Sequence, residues 1–418
     1  MTHSTVEEAK RCLHCKVPGC RKGCPIGTNI PEMIAQYLSG GITEAGRMLF
    51  ENNPLSAICA LVCDHGKQCE GHCVLGIKGQ SVNIGIIENY VSEHYLDAMD
   101  VPEVHKRKED KVAVIGGGPA GMTIAIRLAM RGYDVTIFES KPRIGGVLRS
   151  GIPEFRLPKA LIDKYEVFMR KLGIRIKPNV TVGKPYGIDE LFRDGFKAIS
   201  FGTGVAWPNN LGIKGETLAH VHYGVHYLIR PDVYDLGENV VVIGGGNVAI
   251  DAARTALRHG VRNVSIVVRG CRLNANPHEA EMAALDGARF IYNKAPVEIT
   301  DDGVYLSDTV TDENNKVVSV SAERELYAAD SILIAIGQKA SIFILKQTPG
   351  LHTTSNGLAM VNDVGETDRP GLFASGDVVR GAKTVVEAVE LSKKVADAMD
   401  EYVRAPSARK SEESAVQS

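Results

Sequence analysis

The sequence predicts an α/β fold, in which a small helical module precedes a larger region of strand–turn–helix–strand units. Two observations predict this division. Eight of the nine cysteines lie within the first 73 residues, whereas a strand, a glycine-rich turn, a helix and a second strand occur at residues 112–139 and again at 240–269. Such alternation is typical of α/β domains with parallel sheets. A chain of 418 residues is long enough for two to three domains.

Composition and charge argue against several classes of protein. Hydrophobic residues make up 44% and charged residues 23% of the chain, which is ordinary for a globular protein. The net charge is −2, so a nucleic-acid role gains no support. No apolar run approaches the roughly 20 residues of a membrane helix, and residues 1–12 lack the apolar stretch of a secretion signal. We therefore expect no membrane insertion and a cytoplasmic location.

The clustered cysteines predict metal or redox chemistry, because structural disulfides are rare in the cytoplasm. The two groups read Cys12-x2-Cys15-x4-Cys20-x3-Cys24-Pro25 and Cys59-x3-Cys63-x5-Cys69-x3-Cys73. The Cys-Pro ending is similar to bacterial two-cluster ferredoxins, where the fourth cysteine serves the other cluster. Two iron–sulfur clusters are the first interpretation. Two zinc sites and metal-free thiols are the alternatives, although zinc sites usually show paired C-x2-C motifs and only one occurs here.

Local patterns predict the limits of the cysteine-rich module. Apolar residues at helical spacing predict helices over 31–39 and 84–99. The polar run over 105–110 predicts a linker. The Ser-rich segment 405–418 is expected to be a disordered tail.

The first glycine-rich turn predicts a dinucleotide site. Gly116, Gly118 and Gly121 fit the G-x-G-x-x-G pattern, with a strand before and a helix after it. Glycine lets the backbone approach a pyrophosphate, and the helix N-terminus supplies free N–H groups. Glu139 closes the next strand, where a carboxylate accepts hydrogen bonds from ribose hydroxyls. The alternative is a structural turn with a solvated Glu139.

The second turn, GGGNVA at residues 244–249, has alanine in place of the third glycine. Its following strand ends in Arg269 rather than an acid, and Arg272 lies close behind. A cation at this position suits the 2′-phosphate of NADP. Either arginine could equally be a solvated surface charge. NADP(H) is therefore favoured over NAD(H).

Two dinucleotide sites in one chain suggest a flavin and a nicotinamide, because flavin accepts a hydride and can release electrons singly. No general acid or nucleophile is evident, so we assign no catalytic side chain. A disulfide reductase needs a redox cysteine pair beside the flavin, and Cys271 is the only cysteine after residue 73. The acceptors left within the chain are the N-terminal clusters.

Five features together resemble the glutamate synthase small-subunit family. They are the eight-cysteine pattern and the motifs VAVIGGGPAGM, GGVLRSGIPEFRLPK, VVIGGGNVAIDAART and LFASGDVVRGAKTVVEAV. This family includes the flavin subunit of NADH-dependent ferredoxin:NADP oxidoreductase and the electron-input part of dihydropyrimidine dehydrogenase. The resemblance implies a helical module with two [4Fe-4S] clusters, then two Rossmann-like domains of the glutathione and thioredoxin reductase type, for FAD and for NAD(P)H.

The resemblance also implies domain limits and site residues. The iron–sulfur module is expected at 1–105, the FAD domain at 106–235 and 337–404, and the NAD(P)H domain at 236–336. In family terms Gly376 and Asp377 match the motif that holds the flavin ribityl chain, and residues 382–385 would lie near the flavin ring. The expected cofactor-binding residues are Gly116, Gly118, Pro119, Ala120, Gly121, Glu139, Gly146, Val147, Thr203, Gly204, Gly244, Gly246, Asn247, Val248, Arg269, Arg272, Gly337, Gly376, Asp377, Ala382 and Thr384.

For the clusters, the resemblance implies ligands that cross between the two cysteine groups. The two expected sets are Cys12, Cys15, Cys20 and Cys73 for one cluster, and Cys24, Cys63, Cys69 and Glu88 for the other. Cys59 is the alternative fourth ligand, since thiolate ordinarily suits iron–sulfur clusters better than carboxylate.

One segment departs from the family pattern. Many relatives have Tyr-Arg-Arg after the second nicotinamide-domain strand, where this chain reads Val-Arg-Gly-Cys-Arg over 268–272. The loss of the adjacent arginine weakens the case for NADP(H), so NAD(H) stays open.

The implied function is an electron-input subunit that passes electrons from NAD(P)H through FAD and two clusters to a partner subunit or a ferredoxin-like acceptor in a hetero-oligomer. Alternatives are the electron-input subunit of a dihydropyrimidine dehydrogenase and an electron-bifurcating transhydrogenase-type subunit. A different class is a flavoprotein with a zinc-bearing docking module. A diaphorase or disulfide reductase is a further alternative, which the missing cysteine pair disfavours.

Overall fold

The computed structural model describes residues 2–99, 107–183 and 185–405. Its α-helices are α1 Thr2–Lys10, α2 Gly19–Gly23, α3 Ile30–Leu38, α4 Ile42–Asn52, α5 Ser56–Val62, α6 Ile84–Ala98, α7 Pro119–Met130, α8 Val147–Ser150, α9 Lys159–Lys171, α10 Ile188–Arg193, α11 Gly224–Ile229, α12 Asn247–Arg258, α13 Pro277–Leu285, α14 Ile342–Gln347, α15 Asp377–Arg380 and α16 Val385–Arg404. Short 3-10 helices occupy Glu70–His72, Val74–Ile77 and Pro231–Val233.

The strands form two parallel sheets, a smaller antiparallel sheet and a two-stranded ribbon. They are β1 Arg107–Ile115, β2 Tyr133–Phe138, β3 Arg175–Lys177, β4 Phe196–Phe201, β5 Val205–Pro208, β6 Val221–Tyr223, β7 Asn239–Ile243, β8 Asn263–Val268, β9 Arg289–Tyr292, β10 Lys294–Thr300, β11 Gly303–Thr311, β12 Val317–Val320, β13 Glu325–Ala328, β14 Ser331–Ile334, β15 Gln338–Ala340 and β16 Leu372–Ala374. Among the helices described, none is long and apolar enough to cross a membrane.

The chain divides into two compact units, the second of which is inserted in the first. Residues 149–155 and 206–339 form the second unit, and the other described residues form the first. The inserted unit begins at residue 206, because β6 pairs with β14 in the sheet of the second unit. The expected limits of the cofactor-binding domains stay a prediction. Which cofactor each unit holds stays a prediction at this point.

The first unit is built around a five-stranded parallel sheet of order β16-β4-β1-β2-β3. Its central strand, β1, contains the buried run Val112–Ile115. A parallel sheet is covered on both faces, so its central strand is continuously apolar there. Strand β1 starts at Arg107, which pairs with Tyr133 ahead of a register shift. The linker predicted over 105–110 is therefore wrong for residues 107–110, because backbone pairing in a sheet does not require apolar side chains. Residues 105 and 106, like most of the predicted tail (406–418), lie outside the described residues.

Helix α7 crosses the first unit against α16. It begins at Pro119, and proline is pre-organised for the first helical position. Arg127 near the end of α7 and Arg131 just after it both pair with Asp397 of α16. These contacts fix the C-terminal end of α7 against α16.

Helices α1–α6 form the N-terminal module around a core of buried apolar residues. The expected helices over 31–39 and 84–99 are confirmed as α3 and α6. The module packs within the first unit: the Phe50 ring meets Phe168 edge-on at 5.5 Å between ring centres. Lys393 Nζ on α16 donates to Asn52 Oδ1 at 2.6 Å. The cysteine-rich segment and α16 are thus fixed to each other.

The second unit contains a parallel sheet of order β6-β14-β7-β8-β9, with α12 joining β7 to β8. Its antiparallel sheet includes the β10–β11 hairpin, in which Thr300 pairs with Gly303. This pairing closes a two-residue hairpin turn at residues 301–302. A second hairpin joins β11 to β12 through residues 312–316.

Candidate functional site

The first glycine-rich turn closes tightly against the end of β4. Gly116 has a φ of 99°, and a Cβ there would lie 2.7 Å from the carbonyl oxygen of Gly202. A Cβ on Gly121 would lie only 1.9 Å from the oxygen of Gly116. The turn can therefore form only with glycine at these positions, and it leaves the N-terminus of the 12-residue helix α7 open to an anion.

Glu139 is held at the rim of this turn. It is 5% exposed, and its Oε2 accepts a hydrogen bond from the Gly117 N–H at 2.7 Å. Its Oε1 accepts from the Lys141 N–H at 2.8 Å. Each oxygen keeps further acceptor capacity, so the fixed carboxylate suits the ribose contact that the sequence predicts.

Two more glycine loops meet the first turn. The Gly145 N–H donates to Gly117 O at 2.7 Å, and a Cβ on Gly146 would lie 2.9 Å from the Cα of Gly118. A Cβ on Gly376 would lie 2.9 Å from the Cβ of Ala120. The structure therefore brings residues from three distant motifs to the start of α7, where the lack of side chains leaves a cradle for a flexible ligand.

The other predicted flavin-side residues differ in their surroundings. Burial raises the pKa of Asp377, next to Gly376, to about 6. Thr384 caps α16 by accepting from the Glu387 N–H at 3.4 Å, and Ala382 lies in the loop before it. The remaining residues are Pro119 in α7, Val147 in α8, Thr203 and Gly204 after β4, and Gly337 in the second unit. Their contacts with a cofactor stay predictions.

The second turn forms a similar cradle in the second unit. A Cβ on Gly244, whose φ is 144°, would lie 2.3 Å from the oxygen of Ala335. Around Gly246 no atom of the described residues lies within 4 Å of an added Cβ, which leaves room for a pyrophosphate at the N-terminus of α12. Asn247 Oδ1 accepts from the Asn276 N–H at 2.8 Å, and Val248 packs on the core. The predicted Arg269 and Arg272 are both exposed after β8.

One set of cysteines gathers where residues 11–23 run beside residues 72–81. Its members are Cys12, Cys15, Cys20 and Cys73. Burial, together with the negative charges of the other three, raises the pKa of Cys20 to about 11. Thiolates crowded in this way need a cationic centre to be stable, as a metal cluster provides.

The second set lines a pocket of about 330 Å³ in the same module. Its potential ligands are Cys24, Cys59, Cys63, Cys69 and Glu88. Burial and the nearby Glu70 raise the pKa of Glu88 to about 7. A hydrogen bond between the Cys63 thiol and Cys59, together with burial, raises the pKa of Cys63. The structure thus brings both candidates for the fourth ligand to the other three cysteines.

Two buried polar atoms show that this pocket fits a sulfur-rich group. Asn53 Nδ2 and His65 Nε2 have no hydrogen-bond partner among the described residues, and both side chains line the pocket. Such groups are costly to bury unless an acceptor, such as cluster sulfur, is present. Among the described residues, no group of three or more His, Cys, Asp or Glu side chains is arranged to hold a single metal ion. The sequence offered no signal for either Asn53 or His65 as a pocket group.

The comparisons with known proteins agree with this geometry. Residues 110–391 match the family model for pyridine nucleotide-disulphide oxidoreductases. Residues 1–99 match the model for dihydropyrimidine dehydrogenase domain II with a 4Fe-4S cluster. The small chain of NADPH glutamate synthase from Halomonas elongata is 30% identical, over 95% of this chain and 90% of its own length. The chain belongs to the glutamate synthase small-chain family.

A second member of the same family is the subunit PreT of NAD-dependent dihydropyrimidine dehydrogenase from Salmonella typhimurium. It is 31% identical over 95% of this chain and 94% of its own length. The names of the two relatives specify different nicotinamides, NADPH and NAD. Family membership therefore leaves the choice of nucleotide to the residues of the site.

Comparison of structures confirms the predicted fold. Thioredoxin reductase from Lactococcus lactis matches 70% of this chain and 99% of its own, with a TM-score of 0.55 and 23% identity. The chain is an NAD(P)H-dependent FAD oxidoreductase with a 4Fe-4S domain. It serves as an electron-input oxidoreductase, as the sequence predicts.

Proposed function

We propose that this chain delivers electrons from NAD(P)H, by way of FAD and two [4Fe-4S] clusters, to a separate partner protein. When bound, FAD takes a hydride and gives up electrons singly, and iron–sulfur clusters carry single electrons. The chain itself supplies a separate binding site for each of these groups. Loops 116–121, 145–146 and 376–377 would hold FAD, residues 244–248 with 269–272 would hold NAD(P)H, and the two cysteine sets would each hold one cluster.

The observation that carries this proposal is the position of the first turn of α16. Val386 lines the cysteine pocket, while residues 382–385 are those that the sequence predicts beside the flavin ring. One turn of helix rises about 5.4 Å, so a single rigid element borders both predicted sites. A short separation across packed protein suits electron transfer between them, whereas a docking module would not need it.

Metal analysis and rapid mixing test the proposal. Protein purified without air should contain one FAD, about eight irons and no stoichiometric zinc. Mixing with NADPH or NADH should bleach the flavin and produce the EPR signal of reduced clusters. Stoichiometric zinc in a yellow protein, or clusters that stay oxidised beside a bleached flavin, would contradict the proposal. Affinity purification from the native source without air would then identify the partner.

The fourth ligand of the second cluster can be found by separate substitutions. We expect Glu88→Ala to lower the iron content from about eight to about four per chain and to remove one EPR signal. The reason is that Glu88 is buried against Cys63 and Cys69, whose pKa values its charge raises. Cys59→Ala is the matched control and should keep both signals. The opposite pattern would assign the ligand to Cys59.

A further inference from the structure

The loop 269–272, which follows β8 in the second unit, is tied by hydrogen bonds to β11, to Asn293 and to the hairpin turn that follows β11. Thr309 Oγ1 on β11 donates to Arg269 O at 2.7 Å. The Asn293 N–H donates to Gly270 O at 3.1 Å. The N–H groups of Cys271 and Arg272 and the carbonyl of Arg272 bond to the hairpin turn 312–316. A loop held at so many points can present its two arginines in one geometry.

Asn315, in that hairpin turn, makes most of the remaining ties. Its Oδ1 accepts from the Cys271 N–H at 2.7 Å and from the Arg272 N–H at 3.3 Å. Its Nδ2 donates to Arg272 O at 3.0 Å. A Cβ on Gly270 would lie 2.4 Å from Asn315 Oδ1, so the glycine is the residue that lets the amide approach.

The conformation of Asn315 is suited to this contact. Its φ is 64°, in the left-handed region that asparagine adopts more readily than most residues. The turn is supported by Asp312 Oδ1, which accepts from the N–H groups of Asn314 and Lys316 at 2.9 and 2.8 Å. The Arg272 side chain also reaches the hairpin, since its Nη2 donates to Glu313 O at 2.7 Å. Arg272 keeps further N–H groups for an anion.

We propose that Asn315 is a positioning residue for nucleotide selectivity: it holds the 269–272 loop so that Arg269 and Arg272 together engage the 2′-phosphate of NADPH. This inference rests on the proposed NAD(P)H site at residues 244–248. The loop lacks the second, adjacent arginine that many relatives have. The hairpin fixes the conformation of the loop, so that Arg272 contacts the 2′-phosphate instead. NADH, which has no 2′-phosphate, gains nothing from this arrangement.

The test compares Asn315→Gly with wild type in the loaded enzyme, with ferricyanide as electron acceptor. Glycine keeps the positive φ and removes only the amide. The ratio of kcat/KM for NADPH to kcat/KM for NADH should fall about tenfold, because a misplaced charged contact weakens phosphate binding. The change should lie in the KM for NADPH, with kcat and both NADH constants unchanged. Asn314→Ala, in the same turn, is the matched control and should keep the wild-type ratio.

Three outcomes would overturn the inference. One is an unchanged ratio in Asn315→Gly. Another is an equal loss of kcat/KM for both nucleotides, which a purely structural role would produce. The third is a wild-type preference for NADH. A wild-type enzyme that oxidises neither nucleotide would instead overturn the proposed function, and this result appears before any variant is compared.

Discussion

Gly121→Ala is expected to abolish flavin binding. The added Cβ would lie 1.9 Å from the oxygen of Gly116 and 3.0 Å from Val114 Cγ1. The turn must then open, which moves the N–H groups at the start of α7 away from the pyrophosphate. A displacement of about 1 Å at a binding site can cost a factor of about 100. The purified variant should therefore lack flavin absorbance and oxidise neither nicotinamide.

A matched substitution in the second glycine-rich turn shows whether Gly121→Ala loses flavin because of its steric clash or because any alanine in such a turn has this effect. Around Gly246 an added Cβ meets no atom of the described residues within 4 Å. Gly246→Ala should therefore keep one FAD per chain and the wild-type melting temperature, while NAD(P)H binding weakens because the methyl group occupies ligand space. Full flavin content in Gly121→Ala would show that the first turn does not bind the cofactor.

Arg254→Ala is expected to destabilise the second unit by about 1.5–3 kcal/mol, because it removes charge-assisted hydrogen bonds to two partly buried carboxylates. The Arg254 side chain is 7% exposed and pairs with both Glu279 and Asp286. Its Cζ lies 4.8 Å from the centre of the Phe155 ring, which adds a cation–π contact. Hydrogen bonds from Arg258 and Arg254 keep the pKa of Asp286 low, so this carboxylate stays charged when Arg254 is removed.

The single tryptophan provides the measurement. Trp207 lies in the second unit and is 57% exposed, so its fluorescence during denaturant titration reports the unfolding of that unit. Arg262→Ala is the control, since Arg262 and its partner Glu238 are 74% and 63% exposed and their pair is worth less than about 1 kcal/mol. Equal unfolding midpoints for the two variants would show that the Arg254 network contributes little.

Much of the site could be predicted because many of its residues lie within short, continuous segments of the chain. Gly116 and Gly121 are required by backbone geometry within one turn, so their spacing, with a strand before and a helix after it, indicated the cradle. The same holds for Gly244. The fold class followed from strand and helix patterns of similar length, each set by local periodicity.

Contacts between distant segments had no such signal. No local pattern indicates that Asn53 and His65 come together, and only the packing of the module places both in the cysteine pocket. The start of β1 at Arg107 was missed because its pairing depends on a neighbouring strand. Likewise, the segment from residue 206 joined the second unit through the pairing of β6 with β14, whose paired residues, such as Val221 and Ile332, are far apart in sequence.

The sequence by itself determined the α/β class, the two glycine cradles and the presence of two cysteine groups, because each depends on residues a few positions apart. The tertiary structure decided that the two cysteine groups come together in space, since Cys73 reaches Cys12 only through the return of residues 72–81 against residues 11–23. It also decided that Asn315 holds the 269–272 loop across more than forty residues of chain. Chain folding, and no local pattern, creates such contacts.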